Sequence, residues 1–233
     1  MTAHSIAEAF ADAAARLTGR ADVAGDMVAL LTDCVSLMDM ESAGLLIEVP
    51  GEGLALLSST SHTTDVLELY ELQNGLGPCI EAVRQNTIIN ASGRDLESQW
   101  QPVGRAIVSA GYMAVHAFPL RWQDRAVGAL NLFATTEGEL DDDRQRLGQA
   151  FANLAVAVLA HTRPGAWSDV HQVILGVLTD RIAIEQAKGV LAVQKHIDLS
   201  EAYTLLVATA CQRGIPLSEF ADQVIASTRS PSR

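Results

Sequence analysis

Arg163-Pro164-Gly165-Ala166 divides this 233-residue chain into two unlike parts. Proline removes a helical N–H and glycine loosens the backbone, so these four residues read as a boundary. Downstream of them no strand signal appears. Ser168 is placed to cap a long helix over Val170–Gln194. Its first half is apolar nearly all round (Val170, Val173, Ile174, Leu175, Val177, Leu178), so it requires cover on several sides. A second helix fits Glu201–Gln212, opened by Asp198 and Glu201 at capping-box spacing and ended by Gly214. A third fits Leu217–Ser227 after Pro216, and the polar tail Thr228–Arg233 is expected to fray. Three helices in roughly sixty residues make an all-α bundle that depends on its neighbours for stability.

Upstream, helical and strand signals alternate. Apolar residues at helical spacing mark His4–Leu17, which Gly19 ends, and Val23–Leu37. Ala43–Val49 and Leu54–Ser59 read as strands joined through Pro50-Gly51-Glu52-Gly53. Asp65–Leu72 looks helical. Asn74-Gly75-Leu76-Gly77-Pro78 is a break, after which Cys79–Arg84 opens a short helix. Thr87–Asn90 is a short β-rich run, and Pro102–Ala110 is a helix stopped by Gly111. Tyr112–Leu120 and Ala126–Ala134 form a hairpin across the polar Arg121–Arg125. Asp141-Asp142-Asp143 opens a last helix that runs to about His161, where acidic residues suit the helix dipole. This order predicts an α+β domain: an antiparallel sheet with helices packed on it. The divisions are an N-terminal helix (1–21), a sheet domain (22–162), a linker (163–169), a helical domain (170–227) and a tail (228–233).

Composition narrows the classes. The chain is 48% apolar and 19% charged, enough to bury a core. No apolar run reaches the roughly 18 residues of a membrane span. The N-terminus lacks a basic segment followed by an apolar one, so the expected compartment is the cytoplasm. Net charge is −12, which taken whole argues against nucleic acid. The excess lies in residues 1–167, at −11, while residues 168–233 stand at −1 and hold both lysines, Lys188 and Lys195. Cys34, Cys79 and Cys211 form no CxxC pair and are expected to be buried reduced thiols.

Candidate chemistry is sparse. There is no GxSxG, P-loop, HExxH or dinucleotide fingerprint, and residues 1–167 contain no lysine for phosphate chemistry. No metal ligands or cofactor motif can be named. Cys79 stands at a helix start, where a thiolate is favoured; the alternative is a small residue in a packed turn. His62 suits a surface loop, and His116 lies mid-strand, facing a cavity or the sheet surface. Trp100, Tyr112 and Phe118 line a pocket or belong to the core. With Cys79 and His116 they are the ligand-pocket candidates. In the helical domain Arg181, Lys188 and Lys195 recur every seven residues, one stripe of a helix drifting about 20° per step. Three such cations suit successive phosphates, and Arg213 extends the set. Gly189 bares the backbone beside Lys188 for close approach by RNA or by the second helix. The competing reading is a solvated stripe with Glu185 paired to Arg181 or Lys188.

Two resemblances follow from these residues. Leu72-Gln73-Asn74-Gly75-Leu76-Gly77-Pro78-Cys79 is similar to the "GEGPC" segment of GAF domains, with Leu76 where Glu is usual. Ala117-Phe118-Pro119-Leu120 and Arg125-Ala126-Val127-Gly128-Ala129-Leu130-Asn131-Leu132 resemble that family's strand pair, and Ser92–Trp100 its loop ending in Trp. The resemblance spans roughly Asp22–Thr162 and implies a six-stranded sheet with a pocket between sheet and loops. Arg181-Ile182-Ala183-Ile184-Glu185-Gln186-Ala187-Lys188-Gly189-Val190-Leu191 resembles the "IEQAKG" core of ANTAR domains, an RNA-binding antitermination family. Ala202-Tyr203, Ala210 and Leu217–Val224 match its other helices. Val207 stands where that family usually carries Arg, and Ala192 where it carries Met.

Together these imply a signal-responsive regulator. Its helical domain would bind RNA hairpins in leader transcripts and promote antitermination, with a homodimer and an unidentified small-molecule or protein signal at the GAF-like domain. One alternative is an interaction protein whose altered ANTAR surface binds a protein partner. Another is a thiol-dependent reductase of the GAF type.

Overall fold

The computed structural model describes residues 5–17, 22–161 and 167–228. The boundary at 163–166, Gly19, the side chain of Ser168 and the end of the tail lie outside them. Helices α1 (Ile6–Leu17) and α2 (Val23–Met38) come first, then the hairpin β1 (Ser42–Val49) and β2 (Gly53–Ser59). α3 (His62–Asn74) and α4 (Pro78–Gln85) flank the glycine-rich break. β3 (Ile89–Ser92), α5 (Gly93–Gln99) and α6 (Val103–Ser109) lead to β4 (Ala114–Trp122) and β5 (Arg125–Ala134). α7 (Asp142–His161) closes this part, and α8 (Trp167–Lys195), α9 (Leu199–Arg213) and α10 (Leu217–Ser227) follow.

The strands form one antiparallel sheet in the order β2-β1-β5-β4-β3. Five strands are present among the described residues, against the six implied by resemblance. The hairpin loop expected over Arg121–Arg125 is tighter than its polarity suggests: β4 runs to Trp122 and β5 restarts at Arg125. Gln123 takes the positive φ of 54° that so short a turn demands. The segment Ser92–Trp100, read as a loop, contains the two-turn helix α5. Leu96 is its one buried residue, too little for an apolar period to show.

The sheet separates two cores. On one face Phe118, Leu120, Leu130 and Leu132 pack with α2 and α7, and Phe10 of α1 meets Phe151 at 5.4 Å. On the other face Val115 and Phe133 pack with Trp100, Ile107 and Tyr112. Ala117 and Ala129 pack there with Cys79 and Ala82.

The three C-terminal helices form the expected bundle, and α8 starts within the span read as linker. The apolar turns of α8 are covered by the chain itself. Val170, Ile174 and Val177 join the cluster that contains Met27 and Leu31 of α2 and Phe220 and Val224 of α10. The capping box forms: the Glu201 amide donates to Asp198 Oδ1 at 2.8 Å, and the Asp198 amide donates to Glu201 Oε2 at 3.4 Å. Asp22 ties the parts together. It caps α2 at the Gly25 amide and accepts from the Leu217 amide of α10 at 3.1 Å.

Candidate nucleic-acid interface

α3 is amphipathic in the unexpected sense. Its acidic residues Asp65, Glu68 and Glu71 are buried, while Val66 and Leu69 are 54% and 46% exposed. The spacing of three places the acids on one inward face. That face meets two different surroundings.

At its N-terminal end Asp65 receives the stripe from α8. Arg181 Nη2 donates to Asp65 Oδ1 at 2.8 Å, and Lys188 Nζ donates to Oδ2 at 3.2 Å. Ser59 Oγ adds a bond to Oδ1 at 2.6 Å. Lys188 is 2% exposed and also pairs with Glu185 at 2.6 Å. His62 Nδ1 lies 3.2 Å from its ammonium, and the Tyr203 ring lies 5.7 Å from it. Tyr203, from α9, donates its hydroxyl to the Ser59 carbonyl at 2.7 Å. Burial alone would raise the Asp65 pKa. The Arg181 charge, the bonds from Ser59 and Arg181, and the Lys188 charge outweigh it and hold the carboxyl below its ordinary value.

The other cations lie elsewhere. Lys195 is exposed at the end of α8, and Arg213 is exposed with its guanidinium 4.9 Å from the Phe220 ring. A Cβ at Gly189 would meet nothing within 4 Å, so the second helix does not press on it. The seven-residue stripe is therefore split: Arg181 and Lys188 face the sheet domain, while Lys195 faces solvent. Glu185 contacts both, at 3.9 Å from Arg181. His62 opens α3 and contacts Lys188, in place of the loop position expected.

Further along α3, Glu68 and Glu71 converge with Cys79 of α4. Cys79 Sγ lies 3.7 Å from Glu68 Oε2 and contacts Glu71 Oε2. Asn131 Nδ2 of β5 donates to Glu68 Oε1 at 2.7 Å. Burial pushes the Glu68 carboxyl up to about 7, and burial together with the Glu68 charge pushes Glu71 well above the usual range. Burial, then Glu71 and Glu68, raise the Cys79 thiol. The helix start that would favour a thiolate at Cys79 is thus overridden by its neighbours.

The five pocket candidates do not converge. Trp100 and Tyr112 lie with Cys79 on the α3–α6 side, in separate clusters. Phe118 faces α7 on the opposite side. His116 Nδ1 is 2.8 Å from Asn90 Oδ1, and burial, with Arg144 nearby, lowers its pKa to about 4. Trp100 Nε1 donates to Glu81 at 2.7 Å, and the Tyr112 hydroxyl accepts from Ser42 at 2.9 Å. Cys34 and Cys79 are buried on opposite faces of the sheet, whereas Cys211 is exposed, contrary to expectation. Sequence reasoning missed Asp65, Glu68, Glu71 and Asn131. Their one local signal is the acidic period of three along α3.

A five-stranded antiparallel sheet between helical layers, followed by a three-helix bundle docked on it, makes an α+β domain joined to an all-α one. The chain belongs to the GAF domain family, which it matches over residues 1–160, and it carries an ANTAR domain over residues 176–225. The GAF domain of an Acinetobacter phosphoenolpyruvate-protein phosphotransferase has a similar fold, with 9% identity and a TM-score of 0.52. That likeness covers 68% of this chain and 96% of the other. The GAF domain of the corresponding Coxiella burnetii protein is 14% identical with a TM-score of 0.52, covering 70% and 97%. No curated protein matches the chain. Among the described residues, no helix is long and apolar enough to cross a membrane.

Proposed function

We propose that this protein is a cytoplasmic, signal-responsive regulator that binds RNA hairpins through its ANTAR domain and promotes antitermination. The observation that carries the reading is the engagement of Arg181 and Lys188 by Asp65 of the GAF domain. Two cations of the stripe are held by an acid of the other domain, while Lys195 and Arg213 stay open. RNA phosphates and Asp65 would compete for the same two groups, which gives the GAF domain a physical hold on RNA affinity. A signal that moves α3 would release them. Val207 is partly buried against the core and contributes no cation, so the phosphate contacts fall to the residues of α8 and to Arg213.

A mobility-shift assay against hairpin-rich RNA at about 50 and 200 mM salt tests this. Binding should weaken with salt, fall in Lys188→Ala and Lys195→Ala, and strengthen in Asp65→Asn. Absence of binding in both the parent and Asp65→Asn, or binding indifferent to both lysines, would refute it. The exposed apolar residues Val66, Leu69 and Ile182 border the same junction and favour a second copy of the chain as partner. A sedimentation experiment showing only monomer would remove the dimer.

A further inference from the structure

The second acidic cluster on α3 plays no part in holding the stripe. Glu68, Glu71 and Cys79 are buried, and one donor atom from each lies within 4.8 Å of the others. Among the described residues no ion pair joins a cation to either glutamate. Two buried carboxylates without a counter-charge are costly unless protons or a metal ion neutralise them. One S–H cannot donate to both carboxylates at once. Asn131, 1% exposed and already bonded to Glu68 through Nδ2, carries a buried Oδ1 that has no partner. The backbone is cut away for the carboxylates: a Cβ at Gly44 would overlap Glu68, and one at Gly77 would overlap Glu71.

We propose that Glu68, Glu71 and Cys79, with the Asn131 amide oxygen as fourth donor, bind a borderline-soft divalent transition-metal ion of the Zn2+ type. A thiolate beside carboxylates selects such an ion over magnesium or calcium. Zinc bonds of roughly 2.0–2.3 Å place neighbouring tetrahedral ligands roughly 3.5 Å apart. Cys79 Sγ and Glu68 Oε2 are 3.7 Å apart, so that edge needs little adjustment. On binding, the S–H proton and any carboxyl protons leave to solvent and no electrons move. Glu68 lies one turn from Asp65 on α3, so occupancy is linked to the hold on Lys188 and Arg181; this linkage rests on the RNA-binding reading above.

The probe is Co2+ added to the full chain after chelator treatment, followed by displacement with Zn2+. One ion per chain should give a near-ultraviolet thiolate-to-cobalt band. Cys79→Ser should abolish the band, and Glu71→Gln and Glu68→Gln should each weaken binding roughly tenfold or more. Cys211→Ser, which removes the exposed thiol, should leave it intact. Far-ultraviolet circular dichroism checks that each variant folds, and the glutamine variants serve if Cys79→Ser does not. No thiolate band, or a band that survives Cys79→Ser or vanishes in Cys211→Ser, overturns the site whatever RNA does. Metal binding that leaves RNA affinity unchanged overturns the linkage.

Discussion

The two ends of the inward face of α3 carry the same kind of group in opposite surroundings. Asp65 meets two cations, and its carboxyl is held below its ordinary value. One turn on, Glu68 meets an amide and a thiol, and burial lifts its carboxyl to about 7. The two permanent counter-charges seen on Asp65 among the described residues, Arg181 and Lys188, come from the ANTAR domain, with His62 of α3 lying 4.0 Å away. Those glutamates draw less from it: on Glu68, Arg181 acts more weakly than burial, Asn131, Cys79 and Asp65. Separating the domains would therefore strand Asp65 and leave the glutamate end nearly as it is. The charge state at one end reports on domain contact, and at the other on what lies inside the GAF domain.

The sharpest way to break this contrast is Asp65→Ala. Among the described residues it leaves buried Lys188 with Glu185 as its one acidic partner, and Arg181 with the same residue at 3.9 Å. Removing one member of a buried pair costs about 3–5 kcal/mol. Denaturant unfolding should show that loss, or amide exchange should show α8 and α9 opening from β2 and α3. Glu68→Gln, by contrast, replaces a group that burial already pushes toward neutrality and should stay within about 1 kcal/mol. Equal costs for the two substitutions would end the comparison.

Acid should separate the two faces of the sheet. His116, on the α7 side, has its pKa lowered from 6.5 to about 4 by burial and then Arg144. The unfolded chain takes up a proton there before the folded chain does. The stability due to neutral His116 is thus complete above about pH 6.5 and lost as pH falls toward 4, by about 2–3 kcal/mol. Asp65 is also depressed, so its contribution stands above about pH 4 and disappears only below that. Glu68 and Glu71, raised by burial, act in the opposite direction over this window but do so equally in the parent and in His116→Asn. The stability difference between those two should therefore fall by that amount from pH 7 to 4, while the Asp65 contribution goes at lower pH. A difference between parent and His116→Asn that stays level from 6.5 to 4 contradicts this.

Tyr203→Phe probes the hold at Asp65 without touching a charge. It keeps the ring near Lys188 but leaves the Ser59 carbonyl without the 2.7 Å bond from α9. A buried acceptor left unpaired costs about 1–2 kcal/mol. The same substitution should raise RNA affinity slightly, because the domains release more readily.

How much of this was legible depends on the range over which each signal acts. Leu217–Ser227 was read with its final boundaries, and Asp198, Glu201 and Gly214 form the caps their spacing implied, because such signals are complete within one turn. α5 escaped because one buried leucine makes no period. α3 was recognised as a helix but its inward face was not, since apolar spacing directs Val66 and Leu69 inward and the structure turns them out. The stripe of Arg181 and Lys188 does lie on one face of α8. What that face meets is Asp65, more than a hundred residues away in sequence. Nothing local to α8 encodes such a partner, nor did anything near Cys79 announce Glu68, Glu71 and Asn131 around it.

The smallest effect asks whether the Asp65 end is held closed or simply packed. Gly176 and Gly189 both lie within α8, and a Cβ at either meets nothing within 4 Å. Glycine inside a helix is unfavourable relative to alanine by roughly 0.5–1 kcal/mol. Gly176→Ala and Gly189→Ala should therefore each raise stability by about that amount, seen as a higher denaturation midpoint. Gly189 adjoins Lys188, whereas Gly176 lies more than a turn before Arg181. If the backbone at Gly189 is bared for RNA, Gly189→Ala stabilises the fold and weakens RNA binding, while Gly176→Ala stabilises it and leaves RNA binding alone. Equal RNA affinity in the two variants would mean that the open space beside Lys188 serves no ligand, and that the held cations are structural at the Asp65 end alone.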